Sequence, residues 1–289
     1  MRIRLKKREN LWALTLALPF VAGFITFYII PFFISVYQCF FRSNGTEIEF
    51  QGISNFVRLF TNEAFLLAAK NTLTFDMLCI PLIMVISFFI AYLLSKKLVG
   101  SNLFRSTVVV PLVLPVSSLI IVWQLFFTDA GYVNSFLTWL NIDPVEFMKT
   151  DAFFPVLCAL YIWKNVGYNV ILFAAGLAAI PDEYREAAAI DGAGSWQLFR
   201  KITFPCLMPT TIIVLIMSII NSFKVFREAY LLAGSYPPLS TYMLQHYMNN
   251  NFYKLNYQNL STAAFIVFTI ILVVVYSIYR IERRISRDF

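Results

Sequence analysis

Two sets of polar side chains fall at helical spacing inside otherwise apolar stretches. Tyr161, Lys164, Asn165 and Tyr168 stand at i, i+3, i+4 and i+7, with Gly167 and Asn169 beside them. Ser218, Asn221 and Ser222 stand at i, i+3 and i+4, followed by Lys224, Arg227 and Glu228. Amides and hydroxyls exchange hydrogen bonds with the hydroxyls of a solute, and aromatic faces pack on a sugar ring, so these stripes suit a neutral polyol or saccharide. The same residues also suit a second role, in which Asn and Ser join helices by hydrogen bonds and Lys164 pairs with an acid such as Asp76. Asp76 itself lies about five residues into its apolar run, where water or Lys70 can reach it, and no matching acid suggests a proton relay.

Catalytic and metal chemistry find no support. The single histidine is His246, and Cys39, Cys79, Cys158 and Cys206 are widely separated with no CxxC, which indicates neither a metal site nor a disulfide framework. No GxxxxGK[ST] loop is present to cradle nucleotide phosphates. Membrane enzymes need clustered His, Asp or Glu near one interface, and gradient-driven carriers usually show repeated halves; neither pattern stands out.

The elements that must position these stripes are set by composition. Of 289 residues, 59% are apolar and 13% charged, with a mean hydropathy of +0.70, so lipid is the main solvent. A hydrocarbon core about 30 Å thick takes roughly 20 apolar residues per helix. Six runs qualify: Leu11 to Tyr37, Asn71 to Leu94, Thr107 to Phe127, Phe153 to Ile180, Thr210 to Phe226, and Leu260 to Tyr279. The expected fold is an all-α membrane protein of six transmembrane helices, one domain over residues 1–289, with its first helix retained because the run after the basic start is too long for a signal segment.

The net charge of +7 does not point to nucleic acid, because the basic residues sit at the ends of apolar runs. Fifteen of the 23 Lys and Arg fall on the side shared by both termini: five in Arg2 to Arg8, then Lys96, Lys97, Arg105, Arg185, Arg200, Lys201, Arg280, Arg283, Arg284 and Arg287. That side is expected to be the cytoplasm. Segments 38–70, 128–152 and 227–259, with Arg42, Arg58, Lys70, Lys149 and Lys254, would face outward. Asn44-Gly45-Thr46 has the form of a glycosylation sequon. Pro19, Pro31, Pro81, Pro111 and Pro115 fall within the first three runs, where each removes a donor and is expected to bend or break a helix.

The segment at 181–209 reads as two short helices around a glycine break. Pro181 can open the first, Asp182 and Glu183 complement its positive end, and Gly192 and Gly194 close it. The second, with Ser195 as N-cap, carries Trp196, Phe199 and Ile202 on one stripe, has Arg200 and Lys201 near its end, and stops near Pro205. Helices this short need a surface, either lipid headgroups or a partner protein. The small-residue run Ala174 to Ala179 suits close helix packing.

This segment resembles the signature loop of binding-protein-dependent ABC import permeases, through Glu186-Ala187-Ala188, Gly192 four residues after the second alanine, and the Ile202 to Pro205 tail. Phe50 to Phe56, Asn71-Thr72, Phe104-Arg105, Pro111, Pro115, Trp123, Gly131, Asn134 and Ala175 to Tyr184 extend the likeness to the carbohydrate-uptake branch, related to maltose, multiple-sugar and glycerol-phosphate permeases. Gly234-Ser-Tyr-Pro237 departs from the Gly-Gly-Pro often found there. The resemblance implies a type I importer fold in the cell's inner membrane and a solute path lined by the fourth and fifth spans. It implies no cofactor in this chain, with ATP and Mg held by two cytoplasmic ATPases, plus a second related permease subunit and an extracellular or periplasmic solute-binding protein. Glu186 would anchor the ATPase contact, Ala187 and Ala188 would allow close approach, and Gly192 would form the bend, with Asp191, Trp196, Phe199 and Pro205 completing the loop. A sugar or oligosaccharide is the implied solute; glycerol phosphate in such a permease, or ion-coupled transport, are the alternatives.

Overall fold

The computed structural model describes residues 15–43, 48–96 and 101–285. Leu11 to Leu14, the sequon at Asn44, Arg2 to Arg8, Lys97 and Arg287 lie outside the described residues, as do the side chains of Arg42 and Arg284. In chain order the elements are α1 (Thr15–Phe40), β1 (Phe41–Ser43), β2 (Ile48–Phe50), α2 (Ser54–Phe60), α3 (Glu63–Ser95), α4 (Ser101–Val113), α5 (Val116–Phe127) and α6 (Tyr132–Trp139). There follow α7 (Phe153–Ala178), α8 (Asp182–Ile190), α9 (Ser195–Leu198), α10 (Phe204–Lys224), α11 (Phe226–Ala233), α12 (Leu244–Tyr253) and α13 (Tyr257–Ile285). Six helical stretches among the described residues are long and apolar enough to cross a membrane: Thr15–Phe40, Glu63–Ser95, Val116–Trp139, Phe153–Ala178, Ser195–Ala233 and Tyr257–Ile281. The β1–β2 hairpin, antiparallel with Phe41 opposite Phe50, departs from an otherwise helical chain.

Proline explains most of the differences from the expected spans. Pro81 and Pro111 sit inside continuous helices, so they do not break them. Pro115 does: the residue before a proline is driven from the helical region, α4 stops at Val113, and the expected third run divides into α4 and α5. Two further prolines follow a widened turn. Ile25–Ile29 and Phe199–Thr203 are π-helical, closed by Ile30 N–H to the Ile25 carbonyl and Phe204 N–H to the Phe199 carbonyl, and Pro31 and Pro205 come next. Opening a turn by one residue relieves the clash of the proline ring with the carbonyl four residues back. The second short helix of the 181–209 segment therefore does not stop near Pro205. It runs through the π turn into α10, and the fifth span begins well before Thr210.

The described residues group into two compact units, one reaching Glu63 and including Asn250–Ile270, the other covering Ala64–Asn249 and continuing from Ile271. In the first, buried Asn55 donates to the carbonyls of Cys39 (2.9 Å) and Phe41 (3.2 Å), fixing α2 against the end of α1. Ser261 donates to Gln38 at 2.8 Å, and Phe32 and Phe56 meet Phe268 and Phe265 edge-on.

The second unit holds both polar stripes, and α7 is its centre. Near the start of α7, Phe153, Leu157 and Tyr161 pack with Phe75, Cys79 and Ile83 of α3. Near its end, Val170, Phe173 and Leu177 pack with Ala91 and Leu94 of α3 and Leu207 and Val214 of α10. Lipid is as apolar as these side chains, so contact quality and hydrogen bonds hold such helices together, and apolar residues facing outward from α3 and α5 carry no penalty in it. Gly167 shows how close the approach is: a methyl group there would overlap the carbonyl oxygen of Val108 on α4. Gly176, within the run from Ala174 to Ala179, abuts Leu207 and Thr210 of α10, in keeping with packing.

Candidate functional site

The two stripes meet on a cavity of about 410 Å³, within the ~300–1,000 Å³ typical of small-molecule sites. From α7 come Leu160, Tyr161, Lys164, Asn165 and Tyr168; from α10 and the turn after it, Met217, Asn221, Lys224 and Val225; from α11, Arg227 and Glu228. Helical spacing puts the α7 residues on one face, and the break at Val225 turns α11 so that Arg227 and Glu228 join them.

Not every stripe residue serves the cavity. Asn169 and Ser218 are buried in the seam between α7 and α10, where the Asn169 amide donates to Ser218 Oγ at 2.9 Å. Tyr161 reaches the cavity edge, but its hydroxyl donates to the Ser218 carbonyl at 2.9 Å and its ring meets Phe75 edge-on. Buried Ser222 bonds the Ile219 carbonyl within its own helix and meets the Asp76 carboxylate of α3. Asn165 donates to the Tyr161 carbonyl at 2.8 Å and lines the cavity. Lys164, Asn165, Tyr168 and Asn221 thus form the accessible polar wall.

Lys164 does not pair with Asp76. Its ammonium contacts Glu228 Oε1 in an ion pair whose side chains are 15% and 2% exposed. A lysine in the middle of a 26-residue span requires a counter-charge, and the turn at Val225 carries Glu228 inward to supply it. The position of Glu228, expected near the outer end of its span, gave no sign of this burial. Asp76 is not open to water on both oxygens either: Oδ1 is buried without a hydrogen-bond partner among the described residues.

The 181–209 loop forms a second concave surface, of about 470 Å³, lined by Tyr184, Ala187, Ala188 and Asp191 from α8 and its end, and by Gln197, Leu198, Lys201 and Ile202 beyond the break. Ala193 N–H bonds the Ala188 carbonyl at 2.9 Å and Gly192 N–H bonds that of Ala189 at 3.1 Å, with Gly192 at φ +74°. This paired closure of a helix end needs a left-handed residue, which glycine supplies without strain. Gly194 rather than Ser195 caps α9, its N–H donating to Gln197 Oε1 at 3.2 Å. Glu186 is exposed and lies off the groove, and Tyr184, Ile190 and Trp196 are exposed apolar groups on a loop. Phe199 turns inward against Phe88 of α3, and Pro205 is the second residue of α10.

Elsewhere, conformation is fixed by asparagines read in the sequence only as part of a resemblance. Asn71 donates to the carbonyls of Leu239 (2.5 Å) and Tyr242 (3.0 Å), and Thr72 accepts from Leu244 N–H at 3.0 Å, holding residues 239–244 against α3. Buried Asn134 bonds both polar groups of Val145 and the carbonyls of Thr128 and Asp129, closing the 128–152 segment. His246 is wholly buried, accepts from Met243 N–H at Nδ1, and is pushed down to about 4 by burial.

Six apolar spans, a polar cavity between the fourth and fifth of them and a structured loop with exposed apolar groups define a membrane permease. The chain belongs to the family of inner membrane components of binding-protein-dependent transport systems, whose profile it matches over residues 83–287. It is a multi-pass permease subunit of an ABC importer in the cytoplasmic membrane and is not itself an ATPase. The arabinooligosaccharides transport permease AraP of Bacillus subtilis (strain 168) is 34% identical over 220 residues, 74% of this chain and 69% of that one. The trehalose/maltose transport permease MalF of Thermococcus litoralis is 30% identical over 293 residues, 99% of this chain and 98% of that one. A solved bacterial alginate ABC transporter, in complex with an alginate pentasaccharide-bound periplasmic protein, matches at a TM-score of 0.81 and 25% identity over 99% of each chain.

Proposed function

We propose that this subunit carries a sugar or oligosaccharide through the cavity between α7, α10 and α11, in a complex with a second related permease chain and two cytoplasmic ATPases. The observation that carries the reading is the convergence of Lys164, Asn165, Tyr168 and Asn221 on one cavity inside membrane-spanning helices, in a chain whose relatives include permeases named for arabinooligosaccharides and for trehalose and maltose. The positive-residue bias places both termini and the 181–209 loop in the cytoplasm, and segments 38–70, 128–152 and 227–259 outside, where a solute-binding protein docks. ATP closes the ATPases, the motion enters through α8 and α9 with Gly192 as the joint, and the spans rock between inward- and outward-open states.

Asn165→Ala and Asn221→Ala test the path. Each is expected to reduce saccharide uptake by the assembled complex several-fold, whereas Thr211→Ala, which removes a hydroxyl bonded to the Leu207 carbonyl within its own helix, leaves uptake near wild type. Radiolabelled uptake into proteoliposomes is the measurement, and wild-type uptake by both asparagine variants would remove the cavity from the path.

A further inference from the structure

The hydrogen-bond inventory of the cavity wall is lopsided. Lys164, Lys224 and Arg227 contribute only donors, and of the single carboxylate, Glu228, Oε1 is engaged with Lys164 while Oε2 is buried out of reach, without a hydrogen-bond partner among the described residues. Asn221 Oδ1 is taken by the Lys224 ammonium at 3.1 Å, which also holds that ammonium at the cavity. Arg227 has no ion-pair partner among the described residues, and both it and Lys224 are exposed. A neutral saccharide needs acceptors as well as donors around its hydroxyls, and this wall has few acceptors left. Three cations against one carboxylate also give it a net positive charge.

We propose that the cavity selects a saccharide bearing a negative charge, either a uronate carboxylate or a phosphate ester, with Arg227 and Lys224 receiving the anionic group and Asn165 and Tyr168 the remaining hydroxyls. A carboxylate or phosphate is a concentrated acceptor, and a guanidinium meets two of its oxygens at once. Lys164 keeps its place as the inner partner of Glu228 and is not free to bind. The proposal rests on the cavity being the solute path and narrows its substrate class.

Calorimetric titration of the detergent-purified permease–ATPase complex, without its binding protein, tests this. The probes are α-1,4-digalacturonate against α-1,4-galactobiose, and glucose 6-phosphate against glucose. At least one anion is expected to bind about tenfold tighter than its neutral counterpart, and which one identifies the source of the charge. Arg227→Gln and Lys224→Gln, in complexes that still copurify with the ATPases, should each reduce the preference for that anion over its neutral counterpart about five- to tenfold. Equal binding of charged and neutral partners, or a preference that survives both substitutions, overturns the proposal while leaving the cavity as a saccharide path. Binding of none of the four, by a complex whose ATPase still answers its loaded binding protein, overturns the path as well.

Discussion

Lys164 stands near the middle of α7, and its ion pair with Glu228 makes it tolerable there. Removing one partner strands the other charge in a low-dielectric setting at a cost of about 3–5 kcal/mol, whereas removing both with apolar groups is often nearly neutral. Lys164→Met or Glu228→Leu alone should therefore lower the thermal unfolding midpoint of the purified complex markedly, and the double variant should recover most of it. A double variant as unstable as the worse single one would deny the coupling. The sequence marks Lys164 as needing a partner but gives no means to choose between Asp76 and Glu228, because the choice depends on where α10 ends and how α11 turns. The same limit applies to the stripes. Spacing places Asn165 and Asn169, four apart, on one face of the helix, and only packing against Ser218 shows that Asn169 joins helices while Asn165 faces the cavity.

At the scale of elements, the apolar runs locate the fourth and sixth spans to within a few residues, because lipid admits only helices with their backbone groups satisfied, whereas the second begins at Glu63 and the fifth at Ser195, well before the expected Asn71 and Thr210. Proline outcomes are less legible: Pro81 and Pro111 leave helices continuous, Pro115 breaks one, and Pro31 and Pro205 follow π turns. The result depends on whether neighbouring backbone can be re-satisfied, which no local pattern records. The α12 segment gives a pH prediction. Burial favours neutral His246, whose value near 4 lies below the ordinary 6.5, so the unfolded chain binds its proton first. This contribution to stability is fully present above pH 6.5 and is lost as pH falls toward 4, reaching about 3 kcal/mol at most. Thermal melts of the complex from pH 7.5 to 4.5 should show this loss, reduced in His246→Gln. An identical pH slope in that variant would assign the loss to other groups.

For the whole molecule, composition alone names the solvent and the helical class, and the charge bias supports the proposed orientation. Physics applied to residues 181–209 reaches two short helices in need of a surface, and the structure adds the bend at Gly192 and the exposed Tyr184, Ile190 and Trp196. What the sequence leaves unread is the continuity of that loop with the fifth span: α9 passes through a π turn into α10, so in the proposed mechanism a push on the loop would act on the helix that carries Asn221 to the cavity. The most direct measurement is ATP hydrolysis by the reconstituted complex, stimulated by its loaded binding protein, in Glu186→Lys and Gly192→Pro variants. Proline cannot adopt the φ of +74° that the bend requires, and lysine reverses the charge on the exposed middle turn of α8. The expected result is hydrolysis at the unstimulated rate by complexes that still insert and assemble; stimulation equal to wild type in both variants would contradict transmission through this loop.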